Sequence, residues 1–292
     1  MANEPIIWEH RNLIENFEYK RSVNFNNRFN TVPLRNFNAT ELNILMYLCS
    51  KLKRQRDKII DISFEDIKTL TKYGSKDKER FIEDLQSTNR KLLDCKFSYE
   101  TEDDLIDLVL FTTFKISKSQ GKLTVRVNDD FLFLLNDFTE QFTRFELNEF
   151  VDLKSSYTKE CYRRLKQFSD TGHWYVSIDR FRYELDIPDS YRMYDIDRRV
   201  LKPIKEELSE LFDYFKIIKK KKGNKVIGLQ FDFTRENREK KNKLDADEII
   251  ESYFDMQQEL ETHPSGKFYL EHKDEIEENR KKFLKLLEDK SE

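Results

Sequence analysis

Glycine is scarce in this chain, with six residues in 292. That is too few for a loop-rich nucleotide site. No Gly-x-x-x-x-Gly-Lys-Ser/Thr stretch occurs, which excludes a P-loop ATPase or helicase in its usual form. Cysteine is scarcer still: Cys49, Cys95 and Cys161 are the three, with no Cys-x-x-Cys spacing. An odd count without a framework points to buried thiols in a reducing cytoplasm. His10, His173, His263 and His272 are scattered, and no His-x-His pair exists. Their placement argues against a metal-dependent tyrosine nickase despite 13 tyrosines, and His173 reads as a turn or strand-edge residue. No apolar run approaches the ~20 residues of a membrane span. The start of the chain, Met1 to Trp8, carries acid and proline rather than a charged-then-apolar leader, so secretion is not expected. The carboxylate pairs Asp103-Asp104 and Asp129-Asp130 read as turn and helix-cap residues. No catalytic constellation, cofactor site or metal site is expected, and the chain is not expected to be an enzyme.

What is present is charge. Hydrophobic residues make 38% of the chain and Asp, Glu, Lys and Arg 37%, a soluble composition with ample length for a core. The net charge of −3 hides an asymmetry. Residues 151–235 hold 19 Lys+Arg against 14 Asp+Glu, whereas residues 236–292 hold 11 against 17. A basic middle followed by an acidic tail marks a local site for a polyanion.

Order along the chain repeats. Residues 1–30 are polar and read as an arm or lead-in strand. Asn38 caps a helix with Glu41 three positions on, and Leu42, Leu45, Met46, Cys49 and Leu52 follow at helical spacing before a basic run, 51–56. A strand (59–62), a helix capped by Ser63, a turn at Tyr73-Gly74-Ser75 and a helix over about 76–93 come next. Strand segments at 96–99, 105–116 and 122–127 close the unit, the last two as a hairpin. The same series then recurs. A helix from Ser155 turns Tyr157, Cys161, Tyr162, Leu165 and Phe168 inward. A strand (174–176), a helix capped by Ser177, a turn at 187–190, a long helix and a hairpin over 215–233 follow. Ile62-Ser63-Phe64-Glu65-Asp66-Ile67 echoes Val176-Ser177-Ile178-Asp179-Arg180-Phe181 at a spacing of 114. Matching element order over roughly 80 residues points to duplication of one domain type. After 235 the chain turns to charge and then to two amphipathic helices, one around Ile249, Ile250, Tyr253, Phe254 and Leu260, the other around Ile276, Phe283, Leu284 and Leu287. His263-Pro264-Ser265-Gly266 separates them.

The chemistry sits in the second repeat. At ~100° per residue, Ile196, Val200, Leu201, Ile204, Leu208 and Leu211 share one side of its long helix, and Arg198, Arg199, Lys202 and Lys205 fall opposite. Tyr191, Arg192 and Tyr194 lie at or before the helix start, the end that reaches base edges in helix-turn-helix docking. Arginine there can fork onto guanine, while lysine grips phosphate. Lys219, Lys220, Lys221 and Lys222 then load one hairpin with like charges, which repel without a polyanion. Helix, helix, basic helix and a two-stranded basic wing make a winged helix. Pro203 inside the long helix is expected to kink or break it after Lys202. In the first repeat Lys76 and Arg80 take the equivalent place, but Glu79, Glu83 and Asp84 follow and the wing carries only Lys118 and Lys122, so its grip on DNA is expected to be weaker. The fold class expected is α+β: a winged helix over 1–150 for dimerisation and secondary DNA contact, a winged helix over 151–235 as the main reader, and a charged helical tail over 236–292.

Leu165-Lys166-Gln167-Phe168, Val176-Ser177-Ile178-Asp179, Leu185-Asp186-Ile187-Pro188 and Lys221-Lys222-Gly223-Asn224-Lys225-Val226 resemble the iteron-binding plasmid replication initiator (Rep) proteins. So does the run from Arg199-Val200-Leu201-Lys202-Pro203 to Leu208, in which the Val-Leu-x-Pro-x-x-x-Glu core near 200–206 is the most specific piece. The resemblance covers about 5–235 and also accommodates Pro203. It implies tandem winged helices on double-stranded DNA repeats at a theta-type origin, melting of adjacent AT-rich DNA, and recruitment of host initiator and helicase proteins. It further implies self-association through the first domain, the dimer repressing its own gene, and no membrane partner. Residues 191–202 and the wing match the principal base-reading elements and the helix from Lys76 the second contact, although the acidic mixture in the first domain departs from that pattern. Two alternatives stay open on the residues alone: a tandem winged-helix transcription regulator without a replication role, and an interaction protein whose basic wing binds an acidic partner.

Overall fold

A computed structural model describes residues 20–31, 36–52, 59–95, 97–100, 105–131, 142–236, 238–262 and 272–291, together with Leu34 and Leu270. The arm before residue 20, the basic run after Leu52, Asp103-Asp104 and the 263–266 separator lie outside the described residues. Contacts divide the chain into a body, Val23–Glu236, and a second unit in which Arg21 and Ser22 join residues from 238 onward.

In the body, the lead-in strand β1 (Ser22–Asn26) pairs with β7 (Phe142–Glu146). Helix α1 (Ala39–Leu52) opens on a reciprocal cap. The Glu41 amide donates to Asn38 Oδ1 at 3.0 Å, and the Asn38 amide donates to Glu41 Oε2 at 2.7 Å. Strand β2 (Ile60–Ser63), α2 (Phe64–Leu70) and α3 (Lys78–Asp94) follow. The single segment expected at 105–116 is split, because β3 (Phe97–Glu100) and β4 (Leu105–Leu108) form their own hairpin before β5 (Phe111–Ser117) and β6 (Lys122–Val127). Helix α4 (Leu147–Asp152) closes the first repeat.

The second repeat runs α5 (Ser156–Gln167), β8 (His173–Ser177), α6 (Ile178–Glu184), α7 (Met193–Ile196), a π turn (Asp197–Leu201), α8 (Lys202–Leu211), β9 (Phe215–Lys222) and β10 (Lys225–Phe233). The sheets are ordered β2-β6-β5 and β8-β10-β9, the same plan twice. Local chemistry repeats as well. Ser63 and Ser177 cap α2 and α6, accepting from the amides of Asp66 at 3.0 Å and Arg180 at 3.2 Å. Each helix ends in a left-handed residue, Lys72 at φ 48° and Asp186 at φ 50°. One position later an amide reaches back into the helix, Tyr73 to the Lys68 carbonyl at 2.8 Å and Ile187 to that of Arg182 at 2.9 Å.

Helix α5 departs from the expected amphipathic pattern. Thr158 through Lys166 are all buried, including Lys159, Glu160, Arg163, Arg164 and Lys166. Its second face is covered by the first repeat, through β7, α1 and the 3-10 turn Asn27–Thr31. Arg163 pairs with Glu160 at 2.7 Å, donates to the Phe29 carbonyl at 3.4 Å and lies over the Phe29 ring. Lys166 bridges Glu149 at 3.1 Å and Glu236 at 2.8 Å. Burial pulls that ammonium down, but the two carboxylates outweigh it and hold it above its ordinary value. Lys159 lacks such a partner. Its Nζ donates to the carbonyls of Phe150 at 2.5 Å and Val151 at 3.3 Å, where α4 ends.

The second unit is a helical hairpin of α9 (Arg238–Thr262) and α10 (Lys273–Ser291). Ile250, Tyr253 and Phe283 form its core, and the Tyr253 and Phe283 rings stack at 4.2 Å. Arg21 forks onto Glu251 and Asp255 at 2.9 and 3.1 Å. Among the described residues, no helix is long and apolar enough to cross a membrane.

Burial, only partly offset by Glu207 and Asp152, lowers the Lys159 ammonium from 10.5 to about 7. Between those values the unfolded chain holds a proton that the folded chain has released, so this lysine makes stability rise with pH across that window. Lys159→Met removes the effect. Thermal melts of both proteins across the window should show the difference in melting temperature moving steadily towards the wild type as pH rises; a difference independent of pH would contradict the assignment.

Candidate nucleic-acid interface

The long basic helix begins at a turn that is tied down on its inner side. Arg182 donates from its guanidinium to the carbonyls of Pro188, at 3.3 Å, and Tyr191. Tyr191 is half-buried, and its hydroxyl accepts from Arg199 at 3.2 Å while its ring lies 5.1 Å below that guanidinium. Asp195 accepts from the Arg192 amide at 3.1 Å, the carboxylate of a first-turn cap. Tyr194 projects into solvent at 70% exposure.

The core stripe is as expected, with Ile196, Val200, Leu201, Ile204 and Leu208 buried. Arg192, Arg198, Arg199, Lys202 and Lys205 are exposed on the other side. The break anticipated after Lys202 takes another form. Helix continues through the site, but the Lys202 amide bonds to the Asp197 carbonyl, five residues back, in a π turn directly before Pro203.

The wing divides its lysines. Register places Lys219 opposite Leu229, which is buried, and Lys220 opposite Gly228. Lys219 therefore faces the helices, and its Nζ meets Asp197 at 2.5 Å. Lys219 is still exposed along its length, as are Lys220, Lys221 and Lys222. Lys222 sits directly opposite Lys225 across the Gly223-Asn224 tip, a like-charge pair that opposes the hairpin it closes. Gly223 has φ 60°, which a side chain would strain.

In the first repeat Lys76 precedes the cap of α3 and Arg80 is its third residue, both exposed. The wing lysines there meet carboxylates, Lys118 with Glu79 at 3.4 Å and Lys122 with Asp61 at 2.6 Å. Hydrogen bonds from Lys122 and Thr124 hold the Asp61 carboxyl below its usual range.

Sequence reasoning missed Asp197, Arg182 and Lys225. Asp197 acts through Lys219 on the wing, and Arg182 through carbonyls across the following turn, at spacings that no helical or strand period reports. Lys225 was legible as a fifth basic residue across the tip. His173 sits at the start of β8 against Asp232 at 2.7 Å. Among the described residues no group of three His, Cys, Asp or Glu side chains could hold a metal ion. Cys49 and Cys161 are buried and Cys95 is half-buried, and burial pushes the Cys49 thiol up to about 12.

A family model described as "Initiator Replication protein, WH1" matches residues 22–166, and one described as "Initiator Rep protein, WH2" matches residues 177–233. The chain is 39% identical over 217 residues to a "Probable replication protein rep" of Bifidobacterium longum (strain NCC 2705), covering 73% of each. Its fold matches that in "Crystal structure of Pi initiator protein in complex with iteron DNA", with a TM-score of 0.60 and 17% identity over 76% of this chain and 100% of that one.

The Asp197–Lys219 pair is more than one-third exposed on its acidic side. A double-mutant cycle on unfolding free energy, with Asp197→Asn and Lys219→Met, should give a coupling below about 1 kcal/mol that shrinks with added salt. A larger, salt-insensitive coupling would mean the pair is drier than its exposure indicates.

Proposed function

This chain belongs to the initiator replication protein family through both of its winged helices, and we propose that it starts plasmid replication by binding direct repeats at the origin. The observation that carries this reading is the face made by Arg198, Arg199 and Lys202 beside a wing with Lys220, Lys221, Lys222 and Lys225 exposed. A helix of this kind presents arginine forks to guanine in the major groove, and the wing lysines neutralise phosphate. A polyanion seated against the tip would relieve the Lys222–Lys225 repulsion. Kinship with the Bifidobacterium protein supports replication as the setting. One solved fold relative is an initiator in complex with iteron DNA.

In this reading the second winged helix is the main reader. The first, whose wing lysines are already paired, contacts DNA more weakly through Lys76 and Arg80 and carries self-association. Bound protein helps melt adjacent DNA and recruits host initiator and helicase proteins in the cytoplasm, and its dimer represses its own gene. It acts by binding, without chemistry of its own. Two winged helices placed one helical turn apart cover a site of roughly 20 base pairs.

Footprinting on the DNA beside the chain's own gene tests this directly. Protection should fall on an array of direct repeats of roughly that length next to an AT-rich tract; protection of a lone promoter site would favour a transcription regulator. Arg198→Ala should cost about 1–3 kcal/mol of affinity for the repeat and relax specificity at one base pair. Lys222→Ala should weaken binding to all duplexes and lower the slope of log K against log salt by about one. Salt-insensitive affinity, or a larger loss from Arg80→Glu than from Arg198→Glu, would overturn the assignment of the reader.

A further inference from the structure

Ile196, Val200, Ile204 and Leu208 recur at every fourth position, and all four are fully buried. In an uninterrupted α-helix a four-residue repeat drifts by about 40° per step, hence by about 120° from Ile196 to Leu208. That drift would spread the four over a third of the helix circumference and leave Ile196 at the edge of the core stripe. The π turn at Asp197–Leu201 places one additional residue in a single turn, which takes back about 100° of it. The stripe therefore stays on one side because the turn is wide. Everything before the turn, including the exposed Tyr194 and Arg192, is rotated by the same amount relative to α8.

Pro203 is what keeps the turn wide. In an α-helix the carbonyls of Arg198 and Arg199 would accept from the amides of residues 202 and 203. The Lys202 amide is taken by Asp197, and residue 203 is proline, with no amide to give. Its ring would also meet the Arg199 carbonyl in a tight α turn. Closing the turn thus requires an amide that the chain lacks. Asp197 serves both parts of the site: its carbonyl closes the π turn and its carboxylate holds Lys219 of the wing.

We propose that Pro203 is a specificity-determining residue that acts without touching DNA: through the π turn it sets the rotational register of residues 191–198, and so which side chains meet base edges. The inference rests on the assignment of this helix as the DNA reader. Pro203 is a positioning residue, so the readout must separate reading of bases from gripping of phosphate.

Full-length wild type, Pro203→Ala and Pro203→Gly would each be used to select binding sites from a randomised duplex library. Affinities would then be measured for the wild-type consensus and for an unrelated duplex of equal length. With the amide restored, the turn can close, and discrimination between the two duplexes should fall at least about tenfold, with the selected consensus altered. Affinity for the unrelated duplex and its salt slope should stay near wild type, because the exposed lysines are unchanged. Equal discrimination and the same consensus would overturn the proposal. A parallel loss on both duplexes, or failure of both variants to fold by circular dichroism, would assign Pro203 to stability and also overturn it. Arg198→Ala is the companion arm. If it lowers discrimination while the Pro203 variants do not, only the register inference fails; if it has no effect, the reader assignment itself fails and takes the inference with it.

Discussion

Five charged side chains buried in one helix are the constraint on which the body depends. Charge taken out of water is costly unless each group is met by an opposite charge or a full set of hydrogen bonds. In α5 those partners arrive from both repeats. Arg163 meets Glu160 and the carbonyl of Phe29 from the entry turn, and Lys166 meets Glu149 of α4 and Glu236 beyond β10. Arg164 meets Glu184 of α6 at 3.4 Å. Such pairs add little net stability compared with apolar packing, but a misdocked arrangement would strand several charges at once. The charges in α5 therefore act against sliding of one winged helix on the other, while Phe145, Phe150 and Tyr162 supply the apolar contact.

The same helix is joined to the long basic helix of the second repeat. Glu207 of α8 accepts from the amides of Lys154 and Ser155, at 2.6 and 3.3 Å, and from the Thr158 hydroxyl at 3.1 Å. It thereby satisfies amides at the start of α5, which have no partner inside that helix. Arg182 of α6 holds the turn at Tyr191, and Tyr191 holds Arg199. A path of named contacts runs from the junction between repeats to an exposed guanidinium. Preorganisation of this kind lowers the entropy lost when long side chains order on a partner.

Much of this plan was legible because it is local. Asn38 with Glu41, Ser63 and Ser177 are caps whose partners lie three residues on, and the 114-residue echo between repeats reappears as matched strands, caps and left-handed residues. The exposed basic face of the long helix followed from helical spacing. What escaped was non-local. Arg163 and Arg164 look like solvated charge in a sequence, because the face that buries them belongs to the other repeat. Lys219 looks like its three neighbours on the wing, and only strand register shows that it points inward to Asp197. Pro203 was visible and its effect on the ladder foreseeable. The form of that effect was set by the four-residue apolar stripe, which favours a widened turn over a break.

The two repeats also differ in where one architecture places its charge. Both wings carry lysine, but those of the first meet Glu79 and Asp61 across the unit, and a lysine already paired gains less from phosphate than one facing water. In the second wing only Lys219 is drawn inward, and the outer lysines crowd against Lys225 instead. That crowding opposes the free hairpin, and its relief by a bound polyanion would add to affinity. The three-stranded sheets of the two repeats keep one strand order while their wing charges differ. Carboxylates lie within reach of Lys118 and Lys122 in the first wing, and of Lys219 in the second.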